Sequence, residues 1–149
     1  MGNKKILLVE DNPNDVELTK RALQKAHTNS ELIIAGDGIE AVKYFFGEHD
    51  NNGCLIEDLP ALVLLDLNLP RFNGFEVLRR MRAEKKTKQI PVIILTSSNE
   101  EKDIISGYDL GANSFVRKPV KFAEFAEVIR IVGLYWLVIN QTPSGIQKT

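Results

Sequence analysis

Residues 62–74, LVLLDLNLPRFNG, join an apolar run to an acid and then to a loop-forming segment. The run is rich in Val and Leu and does not alternate with polar residues, which is typical of a strand buried on both faces of a parallel sheet. Asp66 ends the run, and a carboxylate at the border of a protein core needs a partner. Gly74 permits a turn in the following loop that a side chain would forbid. The stretch therefore predicts a buried parallel strand that carries an acid to the edge of a sheet.

Five apolar runs of this kind alternate with segments of helical period. The runs cover residues 5–9, 31–35, 61–65, 91–95 and 114–116. Capping residues predict where four of the helices begin: Asn12 before Pro13, Asp37 before Glu40, Asn73 before Glu76, and Asn99 before Glu100 and Glu101. The alternation predicts a doubly wound α/β fold with a five-stranded parallel sheet and five helices. Of the common strand orders for such sheets, we expect the flavodoxin-like order 2-1-3-4-5.

Length and composition limit the class of protein. The chain has 149 residues, of which 44% are hydrophobic, so we expect one domain over residues 1–140 and a short tail at 141–149. The net charge of -1 provides no general attraction for nucleic acid or anionic membranes. Cys54 is the single cysteine, and no apolar run reaches the roughly 18 residues of a membrane span. These features predict a cytoplasmic protein that binds neither nucleic acid nor membranes.

Reactive side chains follow four of the five predicted strands. They are Glu10 and Asp11 after the first, Asp66 and Asn68 after the third, Thr96 at the end of the fourth, and Lys118 after the fifth. In an open parallel sheet, ligands bind beyond the carboxyl ends of the strands. The order 2-1-3-4-5 places the first and third strands side by side, so the three acids are expected to meet in one cleft.

Three neighbouring carboxylates need either raised pKa values or a cation. Two of them about 4 Å apart repel by roughly 4 kcal/mol at an effective dielectric constant of 20. Mg²⁺ prefers oxygen ligands and retains several waters. We expect Asp11 and Asp66 to bind it directly, Glu10 to bind it through water, and Asn68 to contribute its backbone carbonyl.

The same arrangement suits the chemistry of phosphoryl groups. A carboxylate in the position of Asp66 can attack phosphorus and form an acyl phosphate. Lys118 would then provide a point charge for the phosphoryl oxygens, and Thr96 a hydroxyl donor.

Four segments of the chain resemble the receiver domain of two-component response regulators. LLVEDNPNDVEL (7–18), LLDLNLPRFNGFEVL (64–78), VIILTSS (92–98) and SFVRKP (114–119) are similar to its acidic pair, phosphoacceptor loop, switch hydroxyl and lysine, and the similarity covers residues 4 to 130. The resemblance implies that Asp66 accepts a phosphoryl group from a sensor histidine kinase or a phosphotransfer protein. It also implies that Thr96 moves on phosphorylation and repacks the surface of helix 4, strand 5 and helix 5, so that the output is altered protein binding rather than substrate turnover.

Two further features are implied by the resemblance. Many receivers have a tyrosine three residues before the lysine, whereas this chain has Phe115, a switch residue that can fill space but has no hydroxyl to donate. The family pattern also implies a cis peptide bond between Lys118 and Pro119, which a proline bond tolerates at small cost.

The end of the chain predicts a stand-alone receiver that forms a homodimer. Only NQTPSGIQKT, residues 140–149, follows the last helix, which is too short for an effector domain. The helix has two apolar stripes, of which one covers the sheet and the other is the expected dimer interface. The first comprises Phe122, Phe125, Ile129, Val132 and Trp136, and the second comprises Val128, Ile131, Tyr135 and Val138. The long third-strand crossover, the short tail and YWL at 135–137 are similar to regulators that partner bacterial phytochromes, which suggests a phytochrome-type kinase.

Three other classes of protein are alternatives to a receiver domain. A haloacid-dehalogenase-type phosphatase has its nucleophile in a D-x-D-x-T motif after the first strand, whereas here Asn68 stands two residues beyond Asp66, after the third. A flavin carrier needs a phosphate-binding loop after the first strand, where EDNPND at 10–15 would repel phosphate. A phosphate-independent interaction module on the same fold remains open. The basic run within residues 79–88 is interpreted as the solvated end of a helix rather than a nucleic-acid site.

Overall fold

The computed structural model describes residues 4–26, 29–47, 53–119 and 121–143. In chain order the elements are β1 (Lys4–Val9), α1 (Pro13–Lys25), β2 (Ser30–Ala35), α2 (Gly38–Phe46), a 3₁₀ turn (Ile56–Asp58), β3 (Leu62–Leu65), α3 (Gly74–Ala83), β4 (Val92–Thr96), α4 (Glu101–Asp109), β5 (Ser114–Arg117), α5 (Phe122–Gly133) and a π-helix (Leu134–Ile139). The five predicted strands and five α-helices are confirmed.

All neighbouring strands pair in parallel, in the order β2-β1-β3-β4-β5. The predicted order is therefore confirmed. Val9 of β1 is paired with Leu65 of β3, so the residues that follow these two strands emerge side by side at one edge of the sheet.

Each face of the sheet is covered by its own hydrophobic core. One core packs residues of alternate strand positions against α2 and α3, and includes Val9, Val63, Phe45 and Met81. The other packs the intervening positions against α1 and α5, and includes Leu8, Leu64, Leu23 and Ile129. Burial on both faces explains why the strands lack polar alternation.

Three of the predicted helix caps are confirmed. Asn12 Oδ1 accepts hydrogen bonds from the backbone N–H groups of Asn14 and Asp15, Asp37 accepts one from Glu40, and Asn73 accepts one from Glu76. The predicted cap at Asn99 is wrong. Glu100 precedes the first turn of α4 without a side-chain cap, and its N–H group points to Ser98 Oγ at 3.4 Å. Ser98 Oγ in turn donates to Asp103, so Ser98 holds this helix start from outside the helix.

The basic run in the last turns of α3 and the segment after it is only partly solvated, which corrects the sequence interpretation. Arg82 donates hydrogen bonds to the backbone carbonyls of Gly111 and Ile90 and to Asn113 Oδ1, at 2.9 Å each. Lys86 Nζ donates to the carbonyls of Phe45 and Cys54. These cations stabilise loops at the amino ends of the strands, away from the acids.

The π-helix changes which residues of the C-terminal segment are buried. The hydrogen bond from Asn140 N to Tyr135 O spans five residues, which widens the turn relative to an α-helix. Leu137 is therefore buried in addition to Trp136, which is half-buried against the same core; Phe122, at the other end of α5, is exposed. The predicted sheet-facing stripe is correct at Phe125 and Ile129, which are buried, and at Val132 and Trp136, which are half-buried against the same core; it is wrong only at Phe122.

In the part of the chain that the structure describes, no helix has the length and apolar character needed to cross a bilayer. Residues 144–149 of the predicted tail lie outside the described residues.

Candidate functional site

The ends of β1 and β3 bring three predicted acids together. Asp66 N donates to Val9 O at 3.0 Å, and Glu10 N donates to Ala35 O at 3.0 Å, so both acids are fixed by the sheet ladder as it ends. Carboxylate oxygens of Glu10, Asp11 and Asp66 all lie within 4.8 Å of one another. Glu10 is 3% exposed and Asp66 is 7% exposed, whereas Asp11 faces solvent. The cluster thus combines two poorly hydrated acids with one accessible acid.

Lys118 provides the charge that this cluster needs. Its backbone N–H donates to Thr96 O at 2.8 Å, which places the residue directly beyond β4 and β5. Its Nζ donates to Glu10 Oε1, to Asp66 Oδ2 at 3.1 Å and to Asp15 Oδ2 at 2.8 Å. Burial alone would lower the pKa of this ammonium, but the hydrogen bonds to Asp15 and Glu10 and the charge of Asp66 outweigh it and raise the pKa. Lys118 therefore remains charged at physiological pH.

Asp15 is a site residue that the sequence analysis missed. It lies in the first turn of α1, and its backbone carbonyl accepts a hydrogen bond from the buried Thr19 hydroxyl at 2.8 Å. Asp15 stands three residues after the N-cap Asn12, so it lies in the first turn of α1, next to the loop that carries Glu10 and Asp11. That spacing is the signal that could have found it.

The pKa of Glu10 is raised to about 7. Burial is the main cause, because it disfavours the charged carboxylate, and the negative charge of Asp66 acts in the same direction. The hydrogen bond from Lys118 opposes both effects. Near neutral pH, protons and a cation therefore compete for this carboxylate.

The pH dependence of stability should reveal this titration. The pKa of Glu10 in the folded state, about 7, exceeds the ordinary value of 4.5, so between these values the folded state binds more protons than the unfolded state. The free energy of unfolding of the wild type should consequently fall, relative to Glu10→Gln, as the pH rises from 5 to 7 in a chelating buffer. Urea unfolding of the two proteins at each pH measures this difference. A difference that stays constant over this range would contradict the assignment.

Thr96 ends β4, and Phe115 lies on the neighbouring strand β5, on the side covered by α4. Thr96 is fully buried, and its Oγ1 accepts a 3.4 Å contact from Ser98 N. Phe115 is half-buried, pairs with Ile94 in the sheet, and its ring would lie 3.3 Å from a Cβ added at Gly107 of α4. Both switch candidates thus contact or approach α4 and its preceding loop.

The loop after β3 turns tightly around Asp66. Asn68 N donates to Asp66 Oδ1 at 3.2 Å, while the Asn68 residue itself is exposed. Gly74 N donates to Leu67 O at 3.1 Å, and a Cβ on Gly74 would lie only 2.3 Å from Asp66 O. Glycine is therefore required at this position, as predicted, but the reason is the close approach of two backbone segments rather than a special turn conformation.

The predicted cis bond before Pro119 is wrong. Among the described residues no peptide bond is cis, so the Lys118–Pro119 bond is trans. The trans form of a bond before proline is intrinsically favoured by about 0.5–1 kcal/mol. Lys118 contacts its three carboxylates with the bond in this form, so local chemistry does not require the cis isomer.

A flavodoxin-like sheet that presents acids and a lysine at its carboxyl edge is the architecture of a receiver domain. The sequence matches the response regulator receiver domain family over residues 6–130. The chain therefore belongs to this family, and its role is that of a phosphoacceptor in signalling. The match favours this class over a haloacid-dehalogenase-type phosphatase.

The most similar relatives include regulators from phytochrome systems. The chain is 36% identical over 144 residues to Response regulator Rcp1 of Synechocystis sp., and covers 95% of both chains. A solved structure of the phosphorylated cyanobacterial phytochrome response regulator RcpA has a TM-score of 0.87 and 34% identity, covering 95% of this chain and 99% of that chain. The Mn(2+)-bound form of Rcp1 has a TM-score of 0.83 and 35% identity, covering 94% and 99%. The acidic cluster fits a divalent cation, as receiver domains bind.

Proposed function

We propose that this protein is a response regulator that accepts a phosphoryl group on Asp66 from a sensor histidine kinase or a phosphotransfer protein. One observation carries the proposal: the Lys118 ammonium lies within hydrogen-bonding distance of Asp66 Oδ2 at the edge of a sheet where two further acids converge. In the transfer, an Asp66 oxygen forms a bond to phosphorus while the phosphorus–nitrogen bond to the donor histidine breaks. The electron pair stays on the imidazole nitrogen.

Mg²⁺ is the cation that we propose for the acidic cluster. Asp11 and Asp66 would hold it directly, Glu10 through water, and Asn68 through its backbone carbonyl. When bound, it would neutralise charge on the phosphoryl oxygens and on the acids. Lys118 has three ammonium protons, and the one that now bonds Asp66 would bond a phosphoryl oxygen in the product.

The switch that we propose starts at Thr96. Its hydroxyl lies at the end of β4 and would donate to the new phosphoryl oxygens, which would draw the β4–α4 loop inward. Phe115 would then repack beside Gly107, and the surface of α4, β5 and α5 would change. The output would be altered protein binding, without turnover of a separate substrate or contact with nucleic acid.

A phosphotransfer assay tests the function. A histidine kinase labelled on its histidine should lose the label to this protein in the presence of Mg²⁺, and a chelator should prevent the loss. The label should be released by hydroxylamine, as expected of an acyl phosphate. A label that survives hydroxylamine would place the phosphoryl group on another kind of residue.

The likeness to phytochrome response regulators supports a phytochrome-type kinase as the partner. We propose that the two proteins meet in the cytoplasm and that residues 1–140 form the single receiver domain that the kinase phosphorylates. Among kinases used as donors, one fused to a phytochrome sensor should transfer fastest. Equal rates from unrelated kinases would count against this partner.

We also propose that the protein forms a homodimer through the last helix. Ile131, Tyr135 and Val138 are 52%, 45% and 57% exposed, and the half-buried Val128 continues the same strip. A second copy of the chain would cover this apolar surface. Sedimentation velocity at micromolar concentration should detect a dimer for the wild type and for the control Leu55→Glu, and a monomer for Tyr135→Glu. A monomeric wild type, with or without phosphorylation, would contradict the proposal.

A further inference from the structure

The loop that follows Asp66 is fixed to the start of α2 by an ion pair between Arg71 of that loop and Asp37, the N-cap of α2. Arg71 donates from Nε to Asp37 Oδ2 at 3.0 Å and from Nη2 to the same oxygen. Asp37 is buried, whereas the Arg71 side chain is mostly exposed. Because a buried carboxylate is poorly hydrated, its partners determine its position more strongly than those of an exposed acid.

Asp37 has two functions at this point. Its Oδ1 caps α2 by accepting the Glu40 N–H group at 2.9 Å, while Oδ2 binds Arg71. The Glu40 hydrogen bond and then the Arg71 guanidinium hold the pKa of Asp37 below its usual value. The carboxylate is therefore ionised and held by both the helix and the loop.

The loop has two features that match this anchor. Arg71 has a φ of 65°, in the left-handed region that non-glycine residues rarely adopt. Next to it, Phe72 O would lie 1.7 Å from a Cβ added at Gly38, so the loop backbone and the start of α2 are in direct contact. An uncommon backbone conformation persists only when surrounding contacts hold it.

We propose that the Asp37–Arg71 pair positions the phosphoacceptor loop, residues 66–74, so that Asp66 and the Asn68 carbonyl are held in the geometry that binds the divalent cation. This inference rests on the proposed function of that loop. Neither residue touches the acids themselves, so both act as positioning residues. Partners that orient metal ligands from a distance commonly affect metal affinity although they make no bond to the metal.

The test is Mg²⁺ affinity, measured by isothermal titration calorimetry on the whole chain. Asp37→Asn retains an acceptor for Glu40 N but removes the charge that binds Arg71. Arg71→Gly removes the guanidinium and also relieves the backbone strain of the positive φ. Arg71→Ala removes the guanidinium but keeps the strain that arginine has at this position. Each variant should raise the dissociation constant by about tenfold, the lower end of the range for loss of partners that orient metal ligands, and Arg71→Lys should be intermediate.

Two comparisons separate positioning from general damage. The double variant Asp37→Asn with Arg71→Gly should bind Mg²⁺ no more weakly than the single variant of lower affinity, because each substitution removes the same ion pair. Arg79→Ala, which removes an exposed arginine paired with Glu76 on α3, should bind like the wild type. Urea unfolding in a chelator identifies variants that are folded. Hydrogen exchange of the Asn68 and Gly74 amides should accelerate in the pair variants alone.

The inference is overturned if folded Asp37→Asn and Arg71→Gly bind Mg²⁺ as the wild type does. It is also overturned if only Arg71→Ala is weakened, because the backbone conformation would then matter rather than the pair. A wild type that binds Mg²⁺ but accepts no phosphoryl group would refute the proposed function, and the Mg²⁺ affinities of the pair variants would still test this inference. A phosphorylated wild type with unaffected pair variants would refute this inference alone.

Discussion

Replacing Lys118 by methionine should slow phosphoryl transfer onto the protein by at least about a hundredfold at saturating Mg²⁺, which is the scale of losing one preorganised charge at a reacting centre. Lys118 Nζ contacts Asp66 Oδ2 at 3.1 Å and two other acids, so its loss removes a positive charge within hydrogen-bonding distance of the reacting carboxylate. Methionine retains an unbranched apolar stem of similar length, which limits the packing change.

The matched control for this substitution is Lys102→Met. Lys102 is an exposed lysine of α4, paired with Glu100 at 3.2 Å. Rates of label incorporation from a small acyl phosphate donor should be unchanged in this control. A Lys118→Met rate within about threefold of the wild-type rate would mean that the ammonium does not assist the transfer.

Replacing Gly38 by alanine should lower the free energy of unfolding by about 3 kcal/mol or more, which is the range of severe steric conflict in a core. Helix propensity alone predicts the opposite sign, because alanine is more favourable than glycine in a helix by about 1 kcal/mol. The added Cβ would lie 1.7 Å from Phe72 O, and a backbone atom cannot move away without displacing the phosphoacceptor loop. The sign of the change therefore distinguishes the two effects.

Gly36→Ala is the control for this experiment. A Cβ at Gly36 would meet Glu40 Oε2 at 3.2 Å, which is the flexible end of a side chain that can move aside. Urea unfolding should find this variant within about 0.5 kcal/mol of the wild type. If Gly38→Ala were as stable as Gly36→Ala, the close contact between α2 and the loop would be refuted.

The fold was predictable because its determinants are local or repetitive. The apolar runs mark each buried strand, and Asn12, Asp37 and Asn73 mark helix starts by their capping chemistry. The meeting of Glu10 and Asp66 followed from strand order, since neighbouring parallel strands end at the same edge. These predictions needed no knowledge of side-chain packing.

The remaining features depend on contacts between residues distant in sequence. Asp15 and Lys118 are 103 residues apart, and Asp37 and Arg71 are 34 apart, so no spacing pattern links either pair. The burial of Leu137 was not predicted, because an α-helical period was assumed for residues 134–139, which form a π-helix. The Lys118–Pro119 isomer has a small intrinsic preference, which leaves tertiary contacts to decide it.

The most direct test of the central claim is the intact mass of the protein after incubation with Mg²⁺ and a small acyl phosphate donor, with Asp66→Asn measured beside it. We predict a gain of one phosphoryl group in the wild type and none in Asp66→Asn, because an amide at this position lacks the nucleophilic carboxylate oxygen. A phosphoryl adduct that persists in Asp66→Asn would contradict the assignment of Asp66. A wild type without an adduct, even when the reaction is quenched within seconds, would instead support a phosphate-independent interaction module.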